Sequence, residues 1–163
     1  MNDQHHHVLE VLGSNARLPI ADIARLTGLD EADTAAVIAD LEDDGIIRGY
    51  HAIVDWDRAD TERARAAVEL NVTLDRETGY DDVAGRLVEF PAVTGLQLVS
   101  GNYDFLMTVE ADSVREISKF VSEQVAPIPE VTQTVTHFVM ETYKEHGVRM
   151  GDGGDDERLS VTP

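Results

Sequence analysis

Along Gly95–Ala111 apolar and polar residues alternate with the period of two that belongs to a strand, and the alternation breaks only at Ser100-Gly101-Asn102-Tyr103-Asp104. Leu96, Leu98 and Ser100 point one way and Gln97 and Val99 the other; beyond the break Phe105, Met107 and Val109 oppose Leu106, Thr108 and Glu110. Two such runs joined by a Gly/Asn cluster predict a β-hairpin, because both residues tolerate the positive φ of tight turns.

Further elements flank this hairpin. Ala66–Leu74 alternates as a strand with Val68, Leu70 and Val72 on one face. Asp75–Thr78 reads as a loop, and Tyr80–Phe90 as a helix with Val83, Leu87, Val88 and Phe90 as its apolar stripe, stopped by Pro91. After the hairpin, Ser113 with Glu116 three residues on forms a capping box for a second helix carrying Val114, Ile117, Phe120, Val121 and Val125, which Pro127 and Pro129 break. Val131–Tyr143 alternates as a last strand, with Val131, Gln133, Val135, His137 and Val139 on one face. The order βαββαβ over residues 64–144 predicts a ferredoxin-like antiparallel sheet with both helices on one side. Leu70, Val72, Leu98, Met107, Val135 and Val139 cannot all lie under two helices, so part of that set is expected to face a partner sheet in a dimer or higher homo-oligomer.

Before residue 64 the period changes. Val8, Leu9, Val11 and Leu12 give the apolar face of a first helix ending near Gly13, after which Ser14–Pro19 reads as a loop. Ile20–Leu26 gives a short second helix with Ile23, Ala24 and Leu26 inward, and Thr27-Gly28-Leu29 a tight turn. Asp30 caps a third helix with Asp33 at N3; Val37, Ile38 and Leu41 take its core positions, and Gly45 ends it. Ile46–Val54 is strand-like and fits a wing or a dimer strand. This layout predicts a winged helix-turn-helix over residues 8–54, so the chain as a whole is of α+β class. Residues 55–63, polar and without an apolar period, read as a linker in which Trp56 is a packing anchor. His5, His6 and His7 read as an exposed N-terminal tail without the partners a metal needs. Residues 145–163 end in GDGGDDERLSVTP and read as an acidic disordered tail; a calcium loop fits poorly, because regular ligand spacing and the closing Glu are missing.

Composition changes this picture in one respect. Asp and Glu number 32 against 13 Lys and Arg, a formal net charge of −19, and only Lys119 and Lys144 are lysine. An acidic, lysine-poor surface of this kind resembles proteins from cells that hold molar salt, where the Debye length falls to about 3 Å and self-repulsion is screened. There are no cysteines, which removes thiolate catalysis and thiolate metal sites. No run of 18 apolar residues and no signal-peptide core is present, so a soluble, cytoplasmic protein without membrane contact is expected.

Asn15-Ala16-Arg17, Ile23-Ala24, Gly28-Leu29-Asp30, Leu41-Glu42 and Gly45-Ile46-Ile47-Arg48-Gly49-Tyr50 resemble the N-terminal half of the Lrp/AsnC (leucine-responsive/asparagine regulator) family, and the chain looks like a haloarchaeal-type acidic member. Leu98–Asp104 resembles that family's signature turn, with Asn102 where Asp is usual; Pro129-Glu130-Val131, Thr134, Thr136 and Val139-Met140-Glu141 resemble its last strand. The resemblance covers about Val8 to Lys144. It implies a transcription regulator that binds double-stranded DNA and carries a RAM/ACT-like domain for oligomerisation and for a small effector, an amino acid. The residues matched to DNA contact are Asp30, Glu31, Thr34 and Ala35 at the start of the third helix, with Arg48. Those matched to the effector are Ser100, Gly101, Asn102, Tyr103, Asp104, Thr134 and Thr136. Backbone groups of residues 100–102 suit a carboxylate and Asp104 suits an α-ammonium.

No nucleophile–base set, phosphate-binding glycine loop or metal-ligand pair is found, so no catalysis, no metal and no cofactor are expected. An ACT-like regulatory fragment of an enzyme remains a possible kinship, but there is no catalytic domain to regulate. The third helix conflicts with the DNA expectation. EADTAAVIADLED holds no basic residue, and Val37 and Asp40 stand where the family carries arginines. Met1–Asp60 holds four arginines against thirteen carboxylates, about −9 net. Since phosphate neutralisation by Lys and Arg drives DNA affinity, two accounts stand. Either salt screening, bridging cations, Thr34, helix-start N–H groups and Arg48 support binding, or the helix-turn-helix is degenerate and the protein is a sensor or co-regulator acting through oligomerisation.

Overall fold

A computed structural model describes residues 2–59, 63–76 and 78–151. The chain divides into two compact units, one up to Ala52 and one from Ile53 onward.

The first unit is three helices, α1 (Asp3–Ser14), α2 (Ile20–Thr27) and α3 (Glu31–Asp43). α1 starts five residues earlier than its apolar stripe predicts. The Asn2 side chain accepts the His5 N–H, and Asp3 sits at the positive end of the helix dipole, so His5–His7 are helical rather than a tail. Gly28 (φ 75°) ends α2 in the left-handed conformation. Val8, Leu12, Ile23 and Leu41 form the core, with Leu29, Val37, Ile38 and Ile47 packed on it. Leu26, expected inward, is 46 % exposed. Gly45 (φ 67°) turns the chain out of α3, and the N–H groups of Ile46 and Ile47 both donate to the Leu41 carbonyl at 2.9 Å. Ile46–Val54, expected as a strand, forms none: the first unit contains no other strand to complete a ladder, and a lone strand has nowhere to send its backbone hydrogen bonds.

The second unit is a four-stranded antiparallel sheet of order β2-β3-β1-β4, built from β1 (Ala64–Val72), β2 (Val93–Leu98), β3 (Phe105–Ala111) and β4 (Val131–Phe138). Helices α4 (Tyr80–Leu87) and α5 (Val114–Phe120, continued by one π-helical turn over Val121–Val125) cover one face. This is the expected ferredoxin-like arrangement. Ala66, Val68 and Leu70 of β1 and Phe105, Met107 and Val109 of β3 meet Val83, Leu87, Ile117, Val121 and Val125 in one buried cluster. α4 ends at Leu87, three residues short of the predicted stop, and Phe90 turns in to pack edge-on against Phe120 at 5.3 Å. Arg86 ties α4 to the start of β4 through the half-buried Glu130 carboxylate at 2.6 Å. The register places Ala67, Glu69, Leu106, Thr108, Val135 and His137 on the opposite face, with Glu69 and His137 paired at 3.1 Å. Of the six residues set aside for a partner sheet, Leu70 and Met107 are fully buried and Val72 packs on the same core. Val135 lies on the opposite face, and Leu98 and Val139 are 55 % and 41 % exposed.

Residues 145–151 are not a disordered tail. Lys144–Glu145 (β5) pairs with Val148–Arg149 (β6) across His146 (φ 44°) and Gly147 (φ 84°), a turn with positive φ at both central residues. Asp55 holds this hairpin's end, accepting the Gly151 N–H at 2.8 Å, a bond that lowers the Asp55 carboxyl below its ordinary range. Residues 152–163 of the expected tail, and residues 60–62 of the expected linker, lie outside the described residues.

Met107→Ala, at a fully buried site in the centre of β3, should cost about 2–5 kcal/mol in urea unfolding. Met140→Ala, at a residue 93 % exposed, should stay within about 0.5 kcal/mol of the unsubstituted chain.

Candidate DNA-binding and effector sites

The start of α3 is knitted by its own side chains. Asp30 accepts the Asp33 N–H at 2.7 Å, and the Thr34 hydroxyl donates to the Asp30 carbonyl at 2.7 Å. Thr34 is 0 % exposed, so this residue has no surface to offer DNA; it locks the helix start instead. Its β-branched side chain back-bonds to the residue four earlier, which lets a hydroxyl be buried without loss. Glu31 is exposed and Ala35 half-buried. Arg48 lies at the other end of α3, where its guanidinium passes Gly45 so closely that a Cβ there would meet Nη1 at 3.1 Å. With thirteen residues rising about 1.5 Å each, Arg48 and Glu31 are roughly 20 Å apart along the helix. The structure does not bring these residues into one constellation. The outward face of α3 consists of Ala32, Ala36 and Ala39 beside Asp33, Asp40 and Asp43. Glu42 accepts the Tyr50 hydroxyl at 2.8 Å. Desolvation, then that bond and the Glu42 charge, raise the Tyr50 phenol above 10.0.

The β2–β3 turn is held by its last residue. Asp104 Oδ2 accepts the Val72 N–H at 2.8 Å, Oδ1 accepts the Tyr80 hydroxyl at 3.0 Å, and the Asp104 N–H donates to the Leu70 carbonyl at 2.9 Å. Asn71 Nδ2 donates to the Asn102 carbonyl at 3.0 Å. The carboxylate expected to wait for an α-ammonium is therefore already engaged, on both oxygens, in closing the turn onto β1 and α4. Each oxygen keeps a second lone pair, so a further donor is not barred. Asp104 also raises the exposed Tyr80 phenol above 10.0, chiefly through the hydrogen bond and then through its charge. Ser100, Gly101 and Asn102 are exposed, and their N–H groups make no hydrogen bond among the described residues. Gly101 has φ 147°, a conformation that favours glycine. Tyr103 is half-buried at the side of the turn.

Thr134 and Thr136 are half-buried on β4, opposite Leu70 and Val68. β1 lies between them and the turn, so within one chain they do not join Ser100–Asp104. Tyr80 and Asn71 escaped the sequence analysis. Their only signal was a polar residue at the end of β1 and an aromatic at the start of α4, which fits capping and packing equally well. Among the described residues no group of three His, Asp or Glu is placed to hold a metal ion, and no helix is long and apolar enough to cross a membrane.

Two family models match the chain: a winged helix-turn-helix DNA-binding model over residues 1–48 and an Lrp/AsnC ligand binding domain model over residues 65–149. Among curated proteins, the HTH-type transcriptional regulator YugG of Bacillus subtilis (strain 168) is 32 % identical over 164 residues, covering 100 % of this chain and 99 % of that protein. The proline dehydrogenase transcriptional activator of Rhodobacter capsulatus is 28 % identical, covering 85 % of this chain and 89 % of that one. Among solved structures, a transcriptional regulator of Neisseria meningitidis in complex with L-Met superposes with a TM-score of 0.70 at 21 % identity, covering 89 % of this chain and 93 % of that one.

Removing the turn's closing carboxylate should register in two measurements. Asp104→Ala leaves the half-buried Val72 N–H without its acceptor and should cost about 1–3 kcal/mol in urea unfolding. It should also return the Tyr80 phenol towards 10.0 in an alkaline absorbance titration referenced to Tyr80→Phe. The sign follows from the raised pKa of the folded state: the Tyr80 contribution is present below the unfolded value near 10.0 and is lost as pH rises through the folded one.

Proposed function

The chain belongs to the Lrp/AsnC family of helix-turn-helix transcription regulators, which are not enzymes, and from that premise we propose how it works: it binds operator DNA through the unit around α3, as a homodimer or higher oligomer, and answers to an amino acid held at Ser100–Asp104. The observation that carries the effector reading is the turn itself. Three exposed N–H groups stand side by side on a loop fastened by Asp104, which is the form of a small anion nest for a carboxylate. Asp104 takes the ammonium only on its remaining lone pairs, so its first duty is to position the nest. Thr134 and Thr136 of a neighbouring subunit supply hydroxyls, and Tyr103 flanks the ligand. Asn102 in place of the family's usual Asp leaves this nest one negative charge lighter.

On the DNA side, Asp30 and Glu31 mark the helix start whose N–H groups meet phosphate, Ala35 lets the backbone approach a groove, and Arg48 supplies a cation. Thr34 drops out of this set because it is buried. The net charge of −19 suits a cytoplasm of molar salt, where repulsion between α3 and phosphate is screened. A second reading is favoured by one observation, the absence of any basic side chain on α3: a degenerate helix-turn-helix in a sensor that works through oligomerisation alone.

Fluorescence anisotropy with the protein's own promoter DNA across a KCl series separates the two. With only Arg17, Arg25 and Arg48 in the first unit, the slope of log K against log[KCl] should be shallower than about −3 per subunit. No specific complex at any KCl concentration would sink the DNA reading and leave the sensor. Thermal-shift screening of the twenty amino acids in molar KCl checks the other half: one is expected to stabilise the protein, and a flat screen would remove the effector.

A further inference from the structure

At the end of the sheet away from the turn, about 20 Å along β1, the second unit holds a cleft of about 90 Å³. It is bounded by the stretch Val54–Asp57, the start of β1, the end of β3, the residues after β4 and the β5–β6 hairpin. We propose that this cleft is a second small-molecule site, built for a free amino acid with an apolar side chain and separate from the turn.

The chemistry divides into three parts. The first is an anion receptor. Of the two arginines in the lining, Arg65 is committed, with Nε on Glu110 at 3.0 Å and Nη1 on Glu145 at 3.0 Å. Arg63 is held differently. Its guanidinium lies over the Trp56 ring, 4.3 Å from the centroid, and comes no closer than 3.7 Å to Glu110, too far for a hydrogen bond. Stacking fixes the plane of the fork while leaving its N–H edge for a carboxylate, the planar two-donor geometry that suits such a group.

The second part is a cation receptor. Five carboxylates line the cleft against these two arginines, and Asp57 and Glu141 on its rim do not share in the Arg65 network. A lining with a surplus of three negative charges favours an ammonium, and the paired charges of a zwitterion answer both receptors. The third part is an apolar wall. Trp56, Val139, Met140 and Met150 border the same space, and Met140 is 93 % exposed, an apolar side chain with no packing role in the chain. Flexible thioethers beside an indole accommodate aliphatic side chains of varied shape. Val54–Asp57, one wall of the cleft, is also the stretch that follows the first unit in sequence, so an occupant fastens that stretch to the sheet.

Trp56 is the only tryptophan of the chain, so its emission reports this cleft and no other place. The full-length protein is titrated with L-leucine and L-methionine, and in parallel with 4-methylpentanoate and isopentylamine, which lack the ammonium and the carboxylate respectively. A saturable emission change is expected with at least one of the amino acids, and binding weaker by about tenfold or more with the two analogues. Arg63→Gln should weaken the amino acid by a similar factor, with far-UV circular dichroism confirming the fold. Met140→Ser, at an exposed position that the fold does not need, should weaken it by a smaller, measurable factor. The proposal is overturned if neither amino acid changes the emission, if the analogues bind as well as the amino acids, or if Met140→Ser binds like the unsubstituted chain. A thermal shift by an amino acid that leaves Trp56 emission unchanged also overturns it and assigns that ligand to the turn, which keeps the two sites distinguishable.

Discussion

The architecture of the C-terminal unit rests on the register between β1 and β3, and the hydrogen bonds of Asp104 set where that register starts. The Asp104 N–H reaches the Leu70 carbonyl and its carboxylate reaches the Val72 N–H, so Phe105 has no choice but to face Leu70. From there Met107 falls opposite Val68 and Val109 opposite Ala66, all on the helix side. A slip of one residue would turn Leu106, Thr108 and Glu110 into the core and expose an aromatic and two aliphatic side chains, because strand side chains alternate faces. The Tyr80 hydroxyl on the same carboxylate then fixes where α4 begins, and α4 brings Val83 and Leu87 over the sheet. One polar side chain thus sets the terms for burying a dozen apolar ones.

The β2–β3 turn is fastened to the elements beside it. Its structural bonds are made by Asp104 and by the Asn102 carbonyl, both directed at β1 and α4. Ser100, Gly101 and Asn102 are exposed, and their N–H groups make no hydrogen bond among the described residues. The cleft at the far end is made differently. Its polar groups sit on side chains from five separate segments, and the Arg63 guanidinium is stacked on Trp56.

Much of this was legible in the sequence. Alternation over Ala66–Leu74, Gly95–Ala111 and Val131–Tyr143, with two capped helices between, led to the sheet and its covered face, although the last strand stops at Phe138 and Val139–Tyr143 leaves the ladder. The capping signals Asp30/Asp33 and Ser113/Glu116 are seen as bonds in the structure. The misses have physical causes. Ile46–Val54 has the composition of a strand, but a strand is defined by a partner, and none of the described residues pairs with it. His5–His7 carry no apolar period, yet a helix extends over them because Asn2 caps it and each added residue contributes one more backbone bond. Residues 145–151 look unable to bury anything, yet a His-Gly turn and the Asp55–Gly151 bond suffice for a short hairpin. Thr34 and Asp104 were placed among ligand contacts on residue type alone. Thr34 instead back-bonds to the Asp30 carbonyl one turn earlier, and Asp104 accepts from Val72 and Tyr80 far along the chain, partners that residue type alone does not reveal.

The charge distribution adds a constraint on how the molecule stays folded. A net charge of −19 on 163 residues repels itself, yet the ion pairs that answer it are few and most lie at the surface: Arg25 with Asp22, Lys119 with Glu123, Arg63 with Glu110. Exposed pairs of this kind are worth roughly 0–1 kcal/mol and weaken with salt. The more protected ones, Arg65 between Glu110 and Glu145 and Arg86 on Glu130, join elements that burial already holds side by side. Salt therefore removes little that stabilises the fold and much that opposes it. What remains at high ionic strength is the part salt does not screen: the two apolar clusters, the sheet ladder, and the Asp104 bonds that set its register. The same screening acts on α3, where the outward carboxylates and a phosphate backbone would otherwise repel each other. The acidic face of α3 thus bears on a phosphate backbone as the net charge bears on the fold: both repulsions shorten with the Debye length.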